Sequence, residues 1–475
     1  MNLPKLQLDV LYLLLPLLTG VMVASMSLGA KSKGTQAHPS GAFGGSTPRV
    51  AHKRHSAGIW SRLGGHELRN GSSFAGLSYP LEFLKNKSGV VLGRMGMLHV
   101  RLLERDSVIV FGPTQSYKTT RLVVPAIVKF EGAVIAASVK DDIVVGAKAA
   151  MDGSDFWVFD PYSISKVGNC FWNPIPADLA DREAKHLASV LCTPREADRA
   201  NEESLFWYAL AARMLAPLLV AASFLKLEVA AILAWVELRD FAEAAGALQR
   251  LDRLGSLRTL QASLDREERQ LSSVVTTLEK CLEPFIFGTS RHPLWHDVAQ
   301  FVPRDRARLF LLAPPNRQSE VGPVFSALLR MQLDNVFAAR ERTRLLLVLD
   351  EAANIAPIAN LDEVVSVVAA YQIQMMTIFQ DFAQVRSKYG EKAATVLNNH
   401  RAKLFLGAIS DPETLGLAEM LCGQSNGPGS GRGKFTGDQS LGDRALLSRG
   451  GLRSLRPGSG LLIYGHRRPA LVRLH

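Results

Sequence analysis

Hydrophobic positions along the chain follow two rhythms, and each occupies its own region. Short unbroken apolar runs recur at residues 107–111, 133–139, 156–159, 308–312, 345–349, 374–379 and 403–406, several of them separated by stretches of helical period. Runs of this length, rich in Val, Ile and Leu, fit strands buried on both faces, and their alternation with helices predicts a doubly wound α/β domain. Between residues 176 and 304 the strands stop. Residues 184–191, 205–220, 229–254 and 257–282 carry helical spacing, the last as a polar amphipathic stretch of mixed charge. An all-helical segment inserted into the α/β domain is therefore expected. Residues 423–442, rich in Gly, Ser, Asn and charge, read as a mobile loop, and residues 460–474 alternate like a terminal hairpin.

One apolar run differs in kind. Residues 10–30 carry no charge and slightly exceed the roughly 20 residues a helix needs to cross a bilayer. A secretory signal is the rival, but its apolar core is normally ~7–15 residues long. The expectation is an uncleaved anchor over residues 1–30 and a flexible basic linker over residues 31–58, where Gly, Ser, Pro, His and Lys show no apolar period. Lys31, Lys33, Arg49, Lys53, Arg54 and Arg62 follow the run against Lys5 before it. That asymmetry predicts a single-pass protein with its large C-terminal part in the cytoplasm. A second apolar stretch, residues 209–236, is interrupted by Arg213, Pro217, Lys226 and Glu228, charges that are costly in lipid, so it is expected as two buried helices.

Composition adds a partner. With 475 residues, 47% hydrophobic and 21% charged, the chain can bury two or three domain-sized cores, which excludes a disordered protein. The net charge of +11 points to a polyanion, nucleic acid or an anionic membrane surface. Cys170, Cys192, Cys281 and Cys422 lack metal-ligand spacing and read as reduced, buried thiols.

Two segments carry chemistry. The run ending at Phe111 leads into Gly112, Pro113, Thr114, Gln115, Ser116, Tyr117, Lys118, Thr119 and Thr120, followed by a helical stretch. This is the strand, phosphate loop, helix order: small residues let backbone N–H groups wrap a polyphosphate, Lys118 reaches the β and γ phosphates, and the Thr119 hydroxyl binds Mg²⁺. Tyr117 stands where the usual motif has glycine. Its Cβ either forces a positive φ at a cost of ~1–2 kcal/mol or makes the loop settle at negative φ. The second segment, residues 345–349, runs straight into Asp350 and Glu351, placing two carboxylates where open α/β sheets bind ligands. Asp350 suits Mg²⁺ through its water shell and Glu351 suits the base that polarises an attacking water. Alone, this segment is equally a core strand ending in an acidic turn; beside the phosphate loop it marks an ATP-hydrolysing engine.

At these residues the chain resembles the type IV secretion coupling proteins, the membrane-anchored DNA-pumping ATPases of conjugation, in particular their actinobacterial type. The matching stretches are VIVFGPTQSYKTTRLVVPAI, VIAASVKDDIV, FDPY with FWNPIP, LLLVLDEAANIAPIANLDEVVS, MMTIFQDFAQVRSKYG and VLNNHRAKLFLGAISDPETL, over roughly residues 90–475. The resemblance implies a RecA-like P-loop NTPase with an inserted all-α domain and an N-terminal transmembrane helix, assembling as a homo-hexamer in the plasma membrane. It divides the chain into 59–175 and 305–475 for the NTPase and 176–304 for the insertion. It further implies ATP and Mg²⁺ as cofactors, with single-stranded, sequence-tolerant DNA, a relaxase or other secreted cargo, and type IV secretion channel components as partners. By the same carry-over, Lys118, Glu351 and Gln380 are catalytic, with Gln380 sensing the γ-phosphate, and Thr119 and Asp350 hold metal. Arg401 is the candidate arginine finger, with Arg101 and Arg105 as rivals. Residues 367–371, often Gly- and Arg-rich in relatives, are apolar here, and one span is evident where two are common. Two other functions remain open: a weakly hydrolysing P-loop docking receptor for protein cargo, and a chromosome-segregation type duplex pump.

Overall fold

The computed structural model describes residues 88–151, 155–194, 198, 201–286, 294–340, 343–354, 358, 360–425 and 444–475. The expected anchor, the linker and most of the loop at 423–442 lie outside the described residues.

The strands are β1 Val91–Met95, β2 Leu98–Arg101, β3 Val108–Phe111, β4 Ala133–Ser138, β5 Asp155–Phe159, β6 Cys170–Phe171, β7 His296–Asp297, β8 Ala307–Leu312, β9 Leu345–Leu349, β10 Ile373–Phe379, β11 Ala402–Leu406, β12 Gln424–Ser425, β13 Arg444–Ala445, β14 Ser459–Tyr464 and β15 Ala470–Arg473. Among the described residues, all but the β12–β13 pair join one 13-stranded sheet in the order β2-β1-β15-β14-β11-β3-β10-β9-β4-β8-β5-β6-β7. From β11 through β7 neighbouring strands are parallel. The edge from β14 to β2 is antiparallel. Each of the seven apolar runs forms a strand, and the terminal alternation forms the β14–β15 hairpin. The β1–β2 hairpin and the two-residue strands β6 and β7 are additions that no hydrophobic period announces.

β3, β4, β8, β9 and β10 are buried at every position. Alternate residues serve opposite cores: Ile109, Phe111, Leu345, Leu347 and Leu349 belong to one, Val108, Val110, Leu346 and Val348 to the other. A strand with two apolar faces has no room for chemistry until it ends, so polar residues start at the carboxyl edge.

Between β6 and β7 run helices Asp181–Leu191, Glu202–Leu225, Val229–Glu237, Ala242–Arg250, Leu254–Leu264 and Glu268–Leu282. The stretch at 209–236 is indeed two helices. Glu202–Leu225 is long and apolar enough to cross a membrane, yet 67% of its most apolar window is buried inside the protein, as in a core helix. The helix expected over 229–254 breaks because Arg239 and Asp252 adopt left-handed φ of 52° and 53°. The one expected over 257–282 breaks at Asp265, which ends the Leu254–Leu264 helix.

One buried cation fixes the helix that follows the phosphate loop. Arg308 on β8 is fully buried and donates to the carbonyls of Gly132 (2.7 Å), Ala307 (3.1 Å), Ile127 (3.3 Å) and Phe130 (2.5 Å). Burial, assisted by Arg306, lowers its pKa to about 10, so it stays charged at neutral pH. Ile127 and Phe130 lie at the C-terminal end of helix Val124–Lys129, where orphan carbonyls and the helix dipole favour a cation. Arg308→Met keeps the stem and removes the donors; with buried carbonyls left unsatisfied at ~1–3 kcal/mol each, a loss of about 3 kcal/mol or more in denaturant-unfolding stability is expected.

Candidate functional site

The phosphate loop starts where β3 ends. Gly112 N–H donates to the Phe379 carbonyl of neighbouring β10 at 3.1 Å. A Cβ at Gly112 would sit 2.8 Å from Leu406 Cδ1 and 3.0 Å from Ser116 Oγ, so the start of the loop has no space for a side chain. Gln115 and Tyr117 adopt left-handed φ of 64° and 61°, and Lys118 returns to −52°. Alternation of hand turns successive amides toward one concavity, the geometry that binds anions. Tyr117 therefore takes the positive-φ alternative. Gln115 shares it, and nothing in the sequence pattern had singled Gln115 out.

Lys118 is buried and its Nζ donates to the Gly112 carbonyl at 2.6 Å, folding back across the loop; Ser116 Oγ donates to the Pro113 carbonyl at 2.8 Å. Burial lowers the Lys118 pKa, opposed by the Asp350 and Glu351 carboxylates. Tyr117 is 47% exposed and lies under the Arg121 guanidinium, 4.6 Å from its ring centre. Thr119 opens the following helix, whose first turn, Thr119–Val123, is π-wound before Val124–Lys129 continues as α-helix. Pro125 has no N–H to give the Arg121 carbonyl. That carbonyl accepts instead from His475 N–H at 3.0 Å.

The acidic pair leaves β9 between two strands. Asp350 N–H donates to the Ala137 carbonyl at 3.0 Å and Ala352 N–H to the Ile378 carbonyl at 3.1 Å. Asp350 is 5% exposed and accepts from Ser138 Oγ at 3.2 Å. Burial pushes its pKa up to about 6, with Lys118 opposing and Glu351 adding to the rise. Ser138 was not anticipated, although a hydroxyl ending a fully apolar strand is the visible sign. Glu351 has a left-handed φ of 60° and is partly exposed. Gln380 follows β10, which lies between β3 and β9. Its N–H donates to Gln384 Oε1 at 2.9 Å, so Gln384 holds the turn that follows β10.

Lys118, Thr119, Asp350, Glu351 and Gln380 thus stand at the carboxyl ends of the adjacent strands β3, β10 and β9. Arg401 stands apart, at the amino end of β11, ion-paired with Asp106 at 3.7 Å. Arg101 donates to the Gly89 carbonyl at 3.0 Å.

Residues 83–427 match the family described as Type IV secretory system Conjugative DNA transfer. No curated protein is significantly similar to the chain. Among solved structures, the unbound monoclinic form of the bacterial conjugative coupling protein TrwBdeltaN70 aligns with TM-score 0.64 and 16% identity over 84% of this chain and 92% of its own. The plasmid coupling protein TrwB with ADP and Mg²⁺ aligns with TM-score 0.64 and 17% identity over 85% and 93%. Its complex with the ATP analogue ADPNP gives 0.62 and 16% over 84% and 92%. At this identity the likeness establishes the mixed α/β fold.

Two outcomes follow from the site's strain and charge. Because the folded state raises the Asp350 pKa to about 6, it holds that proton more tightly than the unfolded chain does. The contribution is intact below about pH 4 and lost as pH rises through about 6, a change of about 2–3 kcal/mol. Asp350→Asn should accordingly stabilise the nucleotide-free protein at about pH 8 and leave it unchanged near pH 4, read by denaturant unfolding. At position 117, Tyr117→Gly should be more stable than Tyr117→Ala by about 1 kcal/mol, because only alanine carries a Cβ at positive φ; equal stabilities would show that the loop relaxes to negative φ.

Proposed function

The chain belongs to the type IV secretory system conjugative DNA transfer family, and we propose that it is a membrane-anchored ATPase that drives DNA, or a relaxase bound to DNA, into a type IV secretion channel. The observation that carries this is the convergence of Lys118, Asp350, Glu351 and Gln380 at one sheet edge. The alternating-hand loop fits a polyphosphate, and the buried Asp350 carboxylate fits a hard cation. That TrwB is seen with ADP and Mg²⁺ and with ADPNP supports the same ligands here.

In this scheme Gly112, Pro113, Thr114, Gln115, Ser116, Tyr117 and Thr120 shape the phosphate cradle. Lys118 exchanges the Gly112 carbonyl for the β and γ phosphates. Thr119 and Asp350 hold Mg²⁺, which neutralises charge on the phosphate oxygens. Glu351 orients a water and accepts its proton as the water oxygen bonds to the γ-phosphorus and the bond to the β–γ bridging oxygen breaks. Gln380, beside Gly112, reports whether the γ-phosphate is present. The NTPase comprises residues 59–175 and 305–475 with residues 176–304 inserted, assembled as a homo-hexamer. Residues 1–30 anchor it once in the plasma membrane with the ATPase cytoplasmic. The net charge of +11 supports contact with the phosphates of single-stranded DNA, read without regard to sequence.

The positive φ at Tyr117 and Gln115 favours one second function: a docking receptor for secreted protein cargo whose hydrolysis is slow. Turnover in Tyr117→Gly separates the two, since a large gain supports the receptor and no gain supports a loop that already works.

Steady-state ATP hydrolysis by the full-length protein should be stimulated by single-stranded DNA, with the stimulation fading as salt rises. Glu351→Gln and Lys118→Ala should each lower kcat by about 10²–10⁴-fold. Turnover indifferent to DNA and to both substitutions would refute the motor.

A further inference from the structure

The antiparallel edge of the sheet carries a concentration of positive charge that the nucleotide site does not use. In register, Arg94 on β1 lies directly opposite Arg473 on β15 and directly opposite His99 on β2. The three therefore share one face of the edge, and Arg101, two residues beyond His99, shares it too. Like charges directly opposite one another destabilise a strand pair. Lys129 covers this face from the end of helix Val124–Lys129, its Nζ 3.1 Å from His99 Nε2 and 3.2 Å from His475 Nδ1. The two imidazoles stack with centroids 5.2 Å apart.

The hydrogen-bond inventory of the cluster is one-sided. Burial and the surrounding Lys129, Arg94 and Arg101 charges lower the pKa of both histidines, that of His475 to about 4, so both rings are neutral and accept from the ammonium. An ammonium has three N–H donors, and two are spent. His475, accepting at Nδ1, carries its proton on Nε2, a buried atom without a hydrogen-bond partner among the described residues. Arg94 is exposed and makes no ion pair among the described residues. Glu131 acts on Arg101 and is itself paired with Arg344 at 3.3 Å. The exposed Arg94 guanidinium and the Lys129 ammonium thus stand as neighbouring positive charges, and their complement is an anion.

The neighbouring turn identifies its setting. Met97, in the tight turn joining β1 to β2, is 95% exposed, beside Arg94 and His99. A basic cluster next to a protruding apolar side chain matches an anionic lipid surface, which takes charge at the headgroup and apolar groups just beneath it. Nucleic acid would use the charge and leave the thioether in water. The β1–β2 hairpin is also the described element nearest in sequence to the uncharged run at residues 10–30.

We propose that the β1–β2 hairpin docks on the membrane, with Met97 entering the interface and Arg94 and Lys129 taking the phosphate of an anionic phospholipid. This rests on the proposed membrane anchoring.

The test uses the full chain in nanodiscs of phosphatidylcholine alone or with phosphatidylglycerol. A fluorophore is attached at Met97→Cys, the cysteines of the described residues being buried, and is quenched by nitroxide lipids. Quenching should be stronger with phosphatidylglycerol and weaken with salt. The ratio of docked to undocked hairpin should fall about fivefold in Arg94→Gln and in Lys129→Gln. Arg94 is exposed and stands opposite Arg473, so its variant should fold with an unfolding midpoint at or above the parent's. Equal quenching in both lipids, or shielding of the label by single-stranded DNA in place of lipid, would overturn the proposal. Anchoring is read separately, by retention on phosphatidylcholine vesicles in alkaline carbonate. If the chain is released there while the hairpin still docks on phosphatidylglycerol vesicles, the anchor fails and the docking site stands.

Discussion

Burial of the central parallel strands on both faces is the constraint from which the rest of this protein follows. β3, β4, β8, β9 and β10 present mostly apolar side chains to a core on either side, and the polar groups they do bury, Arg308, Gln374 and Thr377, are held by hydrogen bonds inside the protein. Four of them change character at the last residue or just after: Gly112 opens a loop after β3, Ser138 ends β4, Asp350 follows β9 and Gln380 follows β10. Parallel register then aligns those ends on one edge. The site is the sum of places where four hydrophobic strands run out.

Strain gathers at the same edge. Gln115, Tyr117 and Glu351 all hold left-handed backbone, a conformation costing about 1–2 kcal/mol for a residue with a Cβ. The surroundings over-determine it. Gly112 is pinned by Phe379, Asp350 by Ala137 and Ala352 by Ile378, so the loop and the acidic turn have little room to relax. The cation–π contact between Arg121 and Tyr117 offsets part of the cost at about 0.5–1 kcal/mol. Lys118 and Asp350 have pKa values shifted toward their neutral forms by the same burial, and a ligand carrying both phosphate and a cation would relieve both shifts.

The antiparallel edge is tied to this machinery by one backbone substitution. Pro125 deprives the Arg121 carbonyl of its helical partner, and His475 supplies the N–H instead. The helix leaving the phosphate loop is thereby held at its first turns by the edge and at its far end by Arg308. The basic cluster of Arg94, His99, Lys129 and His475 and the loop after β3 thus share one short helix.

By itself the sequence determined the parts whose physics is local. A short apolar run bounded by turn residues fits a strand buried on both faces, so all seven runs were legible as strands, as were the split apolar helices, the terminal hairpin, and the position of residues 112–120 and of Asp350–Glu351 just past strand ends. Tertiary structure alone decided what depends on partners distant in sequence. Helix breaks at Arg239 and Asp252 required left-handed turns that no Gly or Pro marks. Gln115 revealed its strain only when the loop closed. Ser138 became the partner of Asp350 only because β4 lies beside β9. The β1–β2 hairpin has no clean period of two, since one of its faces is charged and meets Lys129 and His475 from far along the chain. A local pattern records which side chains avoid water; which polar groups then meet one another is set by strand order, and that is a property of the folded sheet.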